Sequence, residues 1–92
     1  MSLAQRFGLN PEVVDTELEE QEVVLLHLES MRYYSLNLTG MRIWQGLKQG
    51  LSLQEISCRL QAEFAVEADR VEHSVVALVA ELCEQQLVQN LP

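Results

Sequence analysis

Basic residues are scarce in this chain: six lysines and arginines stand against 14 aspartates and glutamates, giving a formal net charge of −8. Affinity for nucleic-acid phosphates and for anionic membrane surfaces comes mostly from Lys and Arg, so neither is expected as a partner. Long apolar runs are also missing. No stretch has the length of a transmembrane helix, and residues 1–6 hold no signal-peptide core. The sequence therefore predicts a cytoplasmic protein without a membrane segment.

Residue types that carry catalytic or metal chemistry are equally few. Cys58 and Cys83 have no second ligand pair beside them, so we expect reduced thiols rather than a zinc site. His27 falls in an apolar strand and His73 in a polar helical turn, and no nucleophile elbow accompanies either. The four glycines match neither a phosphate loop nor a dinucleotide fingerprint. We expect no catalytic residue, no metal, no cofactor and no enzymatic activity.

The length of 92 residues, 48% of them apolar, allows one domain with its own core and not two. Residues 1–11 contain Gly8 and the Asn10-Pro11 breaker, which predicts a flexible or loosely docked arm before a single domain at 12–92. Alternating or β-branched segments predict strands at 13–18, 22–29 and 32–36. Short turns between them indicate an antiparallel meander.

The period of the apolar residues changes from two to that of a helix after the third strand. Asn37 or Thr39 is a suitable N-cap for a first helix that stops at Gly50. Ser52 and Glu55 form a capping box that opens a second helix. A third helix is predicted over 68–86, and residues 87–89 form an extended tail that could add to the sheet. The order predicts an α+β fold of the winged helix-turn-helix type, with a three-stranded antiparallel sheet followed by three helices.

A run from Tyr33 to Gly40, followed at fixed spacing by Ile43 and Trp44, resembles the PqqD-like proteins, which are RiPP recognition elements. The resemblance extends over residues 12–89, and the run is closest to the small B protein of lasso-peptide systems. It implies a stand-alone adaptor that binds the leader segment of a ribosomally made precursor peptide and presents it to modifying enzymes. One departure is Gln86, where many relatives carry glycine, so a different turn is expected at the end of the third helix.

The resemblance also implies a peptide site between the third strand and the third helix. An outer strand leaves unpaired backbone groups that an extended peptide can satisfy by β-augmentation. The expected peptide-binding residues are Arg32, Tyr33, Tyr34, Ser35 and Leu36 on the strand, and Arg70, Val71, Ser74, Val75 and Leu78 on the helix. The arginines are candidates for pairing peptide carboxylates.

Alternatives remain open at several of these positions. Tyr34, Leu36, Val75 and Leu78 also fit an ordinary core. Val75→Glu is expected to abolish peptide binding by placing a charge in an apolar groove, with a native fold by circular dichroism; loss of the fold would place Val75 in the core. The expected partners are the leader region of a precursor peptide and a cognate modifying enzyme, either a protease or a cyclase, and less so a radical enzyme. The open edge also allows a homodimer. The alternative function is a winged-helix DNA-binding regulator, which the scarcity of bases disfavours.

Overall fold

The computed structural model describes residues 2–19 and 21–91 and contains five strands and three helices there. In chain order these are β1 (Phe7–Leu9), β2 (Val13–Leu18), β3 (Glu22–His27), β4 (Arg32–Leu36), α1 (Leu38–Lys48), α2 (Leu53–Phe64), α3 (Ala68–Glu84) and β5 (Val88–Asn90). None of these helices has the length and apolarity needed to cross a bilayer, within the part of the chain described.

The predicted meander is present as an antiparallel sheet in the order β2-β3-β4. Val23, Leu25 and His27 of β3 are buried on the side where α1 packs, whereas the residues between them are only half-buried. This alternation follows from the two-residue period of a strand, which sends successive side chains to opposite faces. The predicted α+β class, with a three-stranded antiparallel sheet followed by three helices, is confirmed.

Helix starts are set by the predicted caps. Of the two candidates for α1, Asn37 is the N-cap, and its side-chain oxygen accepts a hydrogen bond from the Gly40 amide at 3.0 Å; Thr39 lies within the helix. The capping box of α2 is complete: the Ser52 hydroxyl accepts from the Glu55 amide at 3.2 Å, and the Glu55 carboxylate accepts from the Ser52 amide at 3.0 Å. Both caps satisfy backbone donors that a helix start leaves unpaired.

The end of α3 retains the turn that glycine usually makes. The helix stops at Glu84, two residues before the predicted end, and Gln86 adopts a left-handed conformation with φ of 60°. The Gln86 amide donates to the Cys83 carbonyl at 3.0 Å and the Leu87 amide to the Leu82 carbonyl at 2.9 Å, which is a Schellman motif. The different turn expected from the loss of glycine is therefore not seen, and a residue with a Cβ occupies the glycine conformation.

Gln86→Gly is expected to stabilise the domain. A residue with a Cβ in the left-handed conformation lowers the free energy of unfolding by about 1–2 kcal/mol, and glycine removes this steric cost. The added freedom of glycine in the unfolded chain takes back about 0.4–1 kcal/mol, which leaves a net gain of about 0.8 kcal/mol at mid-range. Urea denaturation at unchanged m-value measures it. Ala77→Gly, at an exposed position inside α3, is the control and should lose about 1 kcal/mol. An equal loss in both variants would contradict the prediction.

The segment expected to be a loose arm is docked onto the domain. Phe7 is 2% exposed and lies in the core, and β1 pairs antiparallel with β5, so that Phe7 stands opposite Asn90 and Leu9 opposite Val88. The C-terminal tail therefore adds to β1 and not to the meander. The segment docks because the buried side chain of Phe7 covers apolar surface of the domain that would otherwise face water. The start of the domain at residue 12 stays a prediction.

A polar cluster attaches α1 to β2. The Asp15 carboxylate accepts from the Trp44 indole N–H at 2.9 Å and forms an ion pair with Lys48 at 2.7 Å. Partial burial on its own would raise the pKa of Asp15, but hydrogen bonds from Lys48 and Trp44 outweigh it and lower that pKa below its ordinary value. Trp44 is thus a core residue whose only polar side-chain atom, the indole nitrogen, has a hydrogen-bond acceptor.

Candidate functional site

Within the described residues, β4 is an edge strand of the sheet. It pairs with β3 along its whole length, from Arg32 opposite His27 to Leu36 opposite Val23, and it has no strand on its other side. A strand of this kind presents a row of backbone donors and acceptors without strand partners. An extended chain can therefore add to the sheet at this edge.

A groove runs along the open edge of β4 and has a volume of about 700 Å³. Its walls come from β4 with the first turns of α1 on one side, and from α3 on the other. The lining residues are Glu22 of β3, Tyr34, Ser35 and Leu36 of β4, Asn37, Thr39, Gly40 and Ile43 around the start of α1, Ser74, Leu78, Glu81, Leu82 and Gln85 on α3 and its cap, and Leu87. This edge groove combines an apolar floor with an edge that can form hydrogen bonds.

The helical wall of the edge groove is one stripe of α3. Ser74, Leu78, Glu81 and Gln85 follow at spacings of four, three and four residues, which places them on one side of the helix. Glu81 and Gln85 were not predicted, because the predicted helical wall ended at Leu78. The sequence nonetheless allowed their prediction, because Glu81 and Gln85 follow Ser74 and Leu78 at helical spacing on the same side of α3.

Two hydrogen bonds order the walls. The Tyr34 hydroxyl donates to the Gln85 side-chain oxygen at 2.7 Å and so links β4 to the end of α3. The Ser35 hydroxyl donates to the Glu22 carboxylate on the neighbouring strand. Tyr34 is half-buried, with its ring among the core residues and its hydroxyl in the groove. The distance between β4 and α3 at this end is thereby held by a specific contact.

Five of the ten predicted peptide-binding residues line the edge groove, namely Tyr34, Ser35, Leu36, Ser74 and Leu78. Arg70 and Val71 line a smaller cavity of about 120 Å³, which shares Thr39 and Ser74 with the groove and continues it toward the start of α3. Arg32 lines a polar hollow at the other end, which shares Gln85 with the groove. These three concave regions follow one another along α3.

The remaining two predicted residues lie elsewhere. Tyr33 points to the opposite face of the sheet, where it is 70% exposed, because strand residues alternate in direction and its neighbour Tyr34 points inward. Val75 is 0% exposed and belongs to the core. It lies one residue after Ser74, which is about 100° around the helix and turns its side chain away from the groove.

The chain matches the family model described as "Coenzyme PQQ synthesis protein D (PqqD)" over residues 22–88, which include β4, α1, α2 and α3. The chain belongs to the PqqD family. Two solved structures are similar to this PqqD-family protein. One is "TbiB1 in Complex with the TbiA(beta) Leader Peptide", with 32% identity over 88% of this chain and 93% of that chain and a TM-score of 0.83. The other is "Lasso peptide synthetase B1 complexed with the leader peptide", with 33% identity over 95% and 99% and a TM-score of 0.81. No curated protein matches significantly.

The predicted resemblance to the PqqD-like RiPP recognition elements is confirmed by these matches. The DNA-binding alternative finds no support among them. The exposed side of α2 also disfavours it, because Glu55 and Glu63 flank its single base, Arg59. A helix that binds DNA normally carries several Lys or Arg residues to contact the phosphates, and α2 has one.

The charges around the edge groove of this PqqD-family protein change along its length. The carboxylates of Glu22 and Glu81 line the groove itself. Arg70 lines the adjoining cavity at one end, and Arg32 lines the hollow at the other end together with Glu29 and Glu84. Among residues 2–19 and 21–91, no three His, Cys, Asp or Glu side chains gather as a metal-ligand set. Cys58 and Cys83 are free thiols, and burial raises the pKa of Cys83. The groove and its adjoining cavities thus offer unpaired backbone groups, apolar surface and charged side chains.

Proposed function

We propose that this PqqD-family protein is a non-catalytic adaptor that binds the leader segment of a ribosomally synthesised precursor peptide and delivers it to a modifying enzyme, in lasso-peptide biosynthesis. The observation that carries the proposal is the open edge of β4 beside a groove walled by α3. The solved structures most relevant to it are similar over almost their whole length and hold leader peptides. The proposed location is the cytoplasm, where precursor and enzymes are made.

The leader binds as an added strand on β4 in this proposal. Its backbone pairs with the free edge, which supplies affinity without regard to sequence, and alternate side chains enter the groove, which supplies selectivity. From Arg70 to Gln85, α3 rises about 22 Å at about 1.5 Å per residue. An extended peptide advances about 3.3 Å per residue, so the three concave regions together accept about seven leader residues.

The groove chemistry defines the leader side chains that fit. Ile43 and Leu78 offer apolar surface in the middle of the edge groove, and Ser74 leaves room beside them. Arg70 at one end favours a leader carboxylate there, through a charge-assisted hydrogen bond. At the other end Glu29 and Glu84 line the hollow beside Arg32 and offset its charge. A basic leader side chain in the middle would meet Glu22 and Glu81. A leader with an apolar or basic centre and an acidic residue at the Arg70 end is the expected ligand.

Calorimetric titration with a synthetic leader peptide tests the proposal. The peptide is the leader of the cognate precursor, and a scrambled peptide of equal composition is the control. We expect saturable binding of the leader and none of the scrambled sequence. Absence of leader binding at tens of micromolar would contradict the proposed function. Calorimetry is preferred to intrinsic fluorescence because Trp44 is buried away from the groove.

A further inference from the structure

Two side chains of the edge strand β4 point away from the edge groove, toward the face of the sheet opposite the helices. They are Tyr33, which pairs with Leu26 of β3, and Ser35, which pairs with Val24. The buried residues of β3 alternate with these and face α1. Tyr33 is 70% exposed. Both side chains are therefore accessible, from the outward side, to a chain that pairs with the open edge of β4.

A carboxylate is held beside these two side chains. Glu22 begins β3 in the same outward row, and the Ser35 hydroxyl donates to its carboxylate oxygen Oε2, which keeps the carboxylate at β4. Glu22 lines both the edge groove and a hollow at the end of the sheet, so a ligand at the open edge can reach it. The acids in the ion pairs found among the described residues are Asp15, Glu55 and Glu63. The charge of Glu22 is thus available to a ligand.

The outward positions that pair across the three strands supply no cation for Glu22. They are apolar, hydroxyl-bearing or acidic: Val14, Thr16, Leu18, Glu22, Val24, Leu26, Tyr33 and Ser35. A basic ligand side chain on this side of β4 would therefore meet a carboxylate and an aromatic ring without competition from a neighbouring Lys or Arg of these strands.

A leader strand added to β4 alternates in the same way as β4 itself. Its inward side chains enter the edge groove, and the side chains between them lie on the outward side. The leader residue opposite Ser35 has its Cβ about 5 Å from that of Ser35, and Tyr33 is its diagonal neighbour at about 7–8 Å, within reach of a long side chain. A Lys or Arg there can pair with Glu22 and lie against the Tyr33 ring.

We propose that Glu22 and Tyr33, with Ser35 positioning the carboxylate, form an outward subsite for a Lys or Arg of the leader that stands opposite Ser35. The inference rests on the proposed function, which supplies the added strand. It deepens that function, because the edge groove contacts only alternate leader residues. Recognition on both sides also fixes the register, since a slip of one residue would exchange the inward and outward sets.

Paired substitutions in the synthetic cognate leader test the outward subsite. Each leader residue along the groove is replaced in turn by Lys and by Gln, and calorimetry gives the ratio of the two dissociation constants at that position. Inward positions are recognised because both polar substitutions weaken binding there. We expect Lys to bind about fivefold more tightly than Gln at one outward position, as for an exposed ion pair with an aromatic neighbour.

Glu22→Gln should bring that ratio to about one and leave the ratios at other positions within about twofold, because the amide can still accept from Ser35 but carries no charge. Glu12→Gln is the matched control. Glu12 is also exposed, and its carbonyl accepts from the Leu28 amide at the β2 side of the sheet, away from β4. It changes the net charge equally and should keep the Lys preference. Tyr33→Leu should lower the preference by about half.

The same titrations separate this inference from the proposed function. Leader binding with a ratio near one at every outward position, or an equal loss of preference in Glu22→Gln and Glu12→Gln, would overturn the outward subsite and leave leader binding standing. A Glu22-dependent preference at an inward position would overturn it as well and place the cation in the groove. A leader series that fails to bind at all would contradict the proposed function, and the subsite with it.

Discussion

Leu78→Glu is expected to abolish leader binding. Leu78 is half-buried and lines the middle of the edge groove, where a peptide side chain would enclose the new carboxylate. Burial of a charge without a partner costs several kcal/mol, and a loss of about 3 kcal/mol corresponds to about 100-fold weaker binding. The neighbouring carboxylates of Glu22 and Glu81 add repulsion and leave no base to pair with it. Calorimetry with the synthetic leader measures the loss.

Ala77→Glu is the matched control for that experiment. Ala77 is exposed, lies one residue earlier on α3 and does not line the groove, so it adds the same charge about 100° around the helix. Leader affinity should stay within about twofold, as for a surface substitution away from an interface. Circular dichroism checks that both variants fold. A folded Leu78→Glu variant with wild-type affinity would remove the groove from the peptide site.

Val75→Glu is expected to unfold the domain rather than to block peptide binding selectively. The side chain of Val75 is 0% exposed and belongs to the hydrophobic core. An unpaired buried carboxylate costs several kcal/mol, against a total stability of roughly 5–15 kcal/mol for a domain. The near-ultraviolet signal of buried Trp44 should be lost, and amide resonances should collapse toward random-coil shifts.

Ser74→Glu controls for the charge itself. Ser74 is exposed, and its substitution should leave the fold intact and weaken leader binding, because the side chain lines the groove. The two adjacent residues thus separate stability from recognition. A folded Val75→Glu variant with a native near-ultraviolet spectrum would contradict the assignment of Val75 to the core.

Much of the fold was predictable because its signals are local. The capping box at Ser52, the N-cap at Asn37 and the alternation along β3 each act within a few residues, and the structure confirms them. The pairing of β1 with β5 was not predictable, because three residues show no alternation and the partner lies at the other end of the chain. The burial of Phe7, Leu87 and Val88 anchors this pairing, and burial is a tertiary property.

The site was predictable as a surface and not residue by residue. The resemblance placed it between β4 and α3, where the groove is found. Arg32 and Arg70 lie in the cavities that adjoin the groove at its two ends. The sequence could not show this, because the positions of charged side chains follow no regular period. Val75 shares the apolar pattern of α3 with Leu78, and only the packing of the helix shows which of the two is accessible. Helical spacing is the information that also reveals Glu81 and Gln85.

The pairing of β1 with β5 has a practical consequence for engineering. Because Phe7 lies opposite Asn90, the described chain enters and leaves the domain side by side. An enzyme or a fluorophore fused to either end would start from nearly the same point relative to the groove. A short glycine-serine linker could join the two ends, with a new opening in the turn at Glu29 and Ser30. The permuted chain would keep both sheets and present its ends beside Arg32.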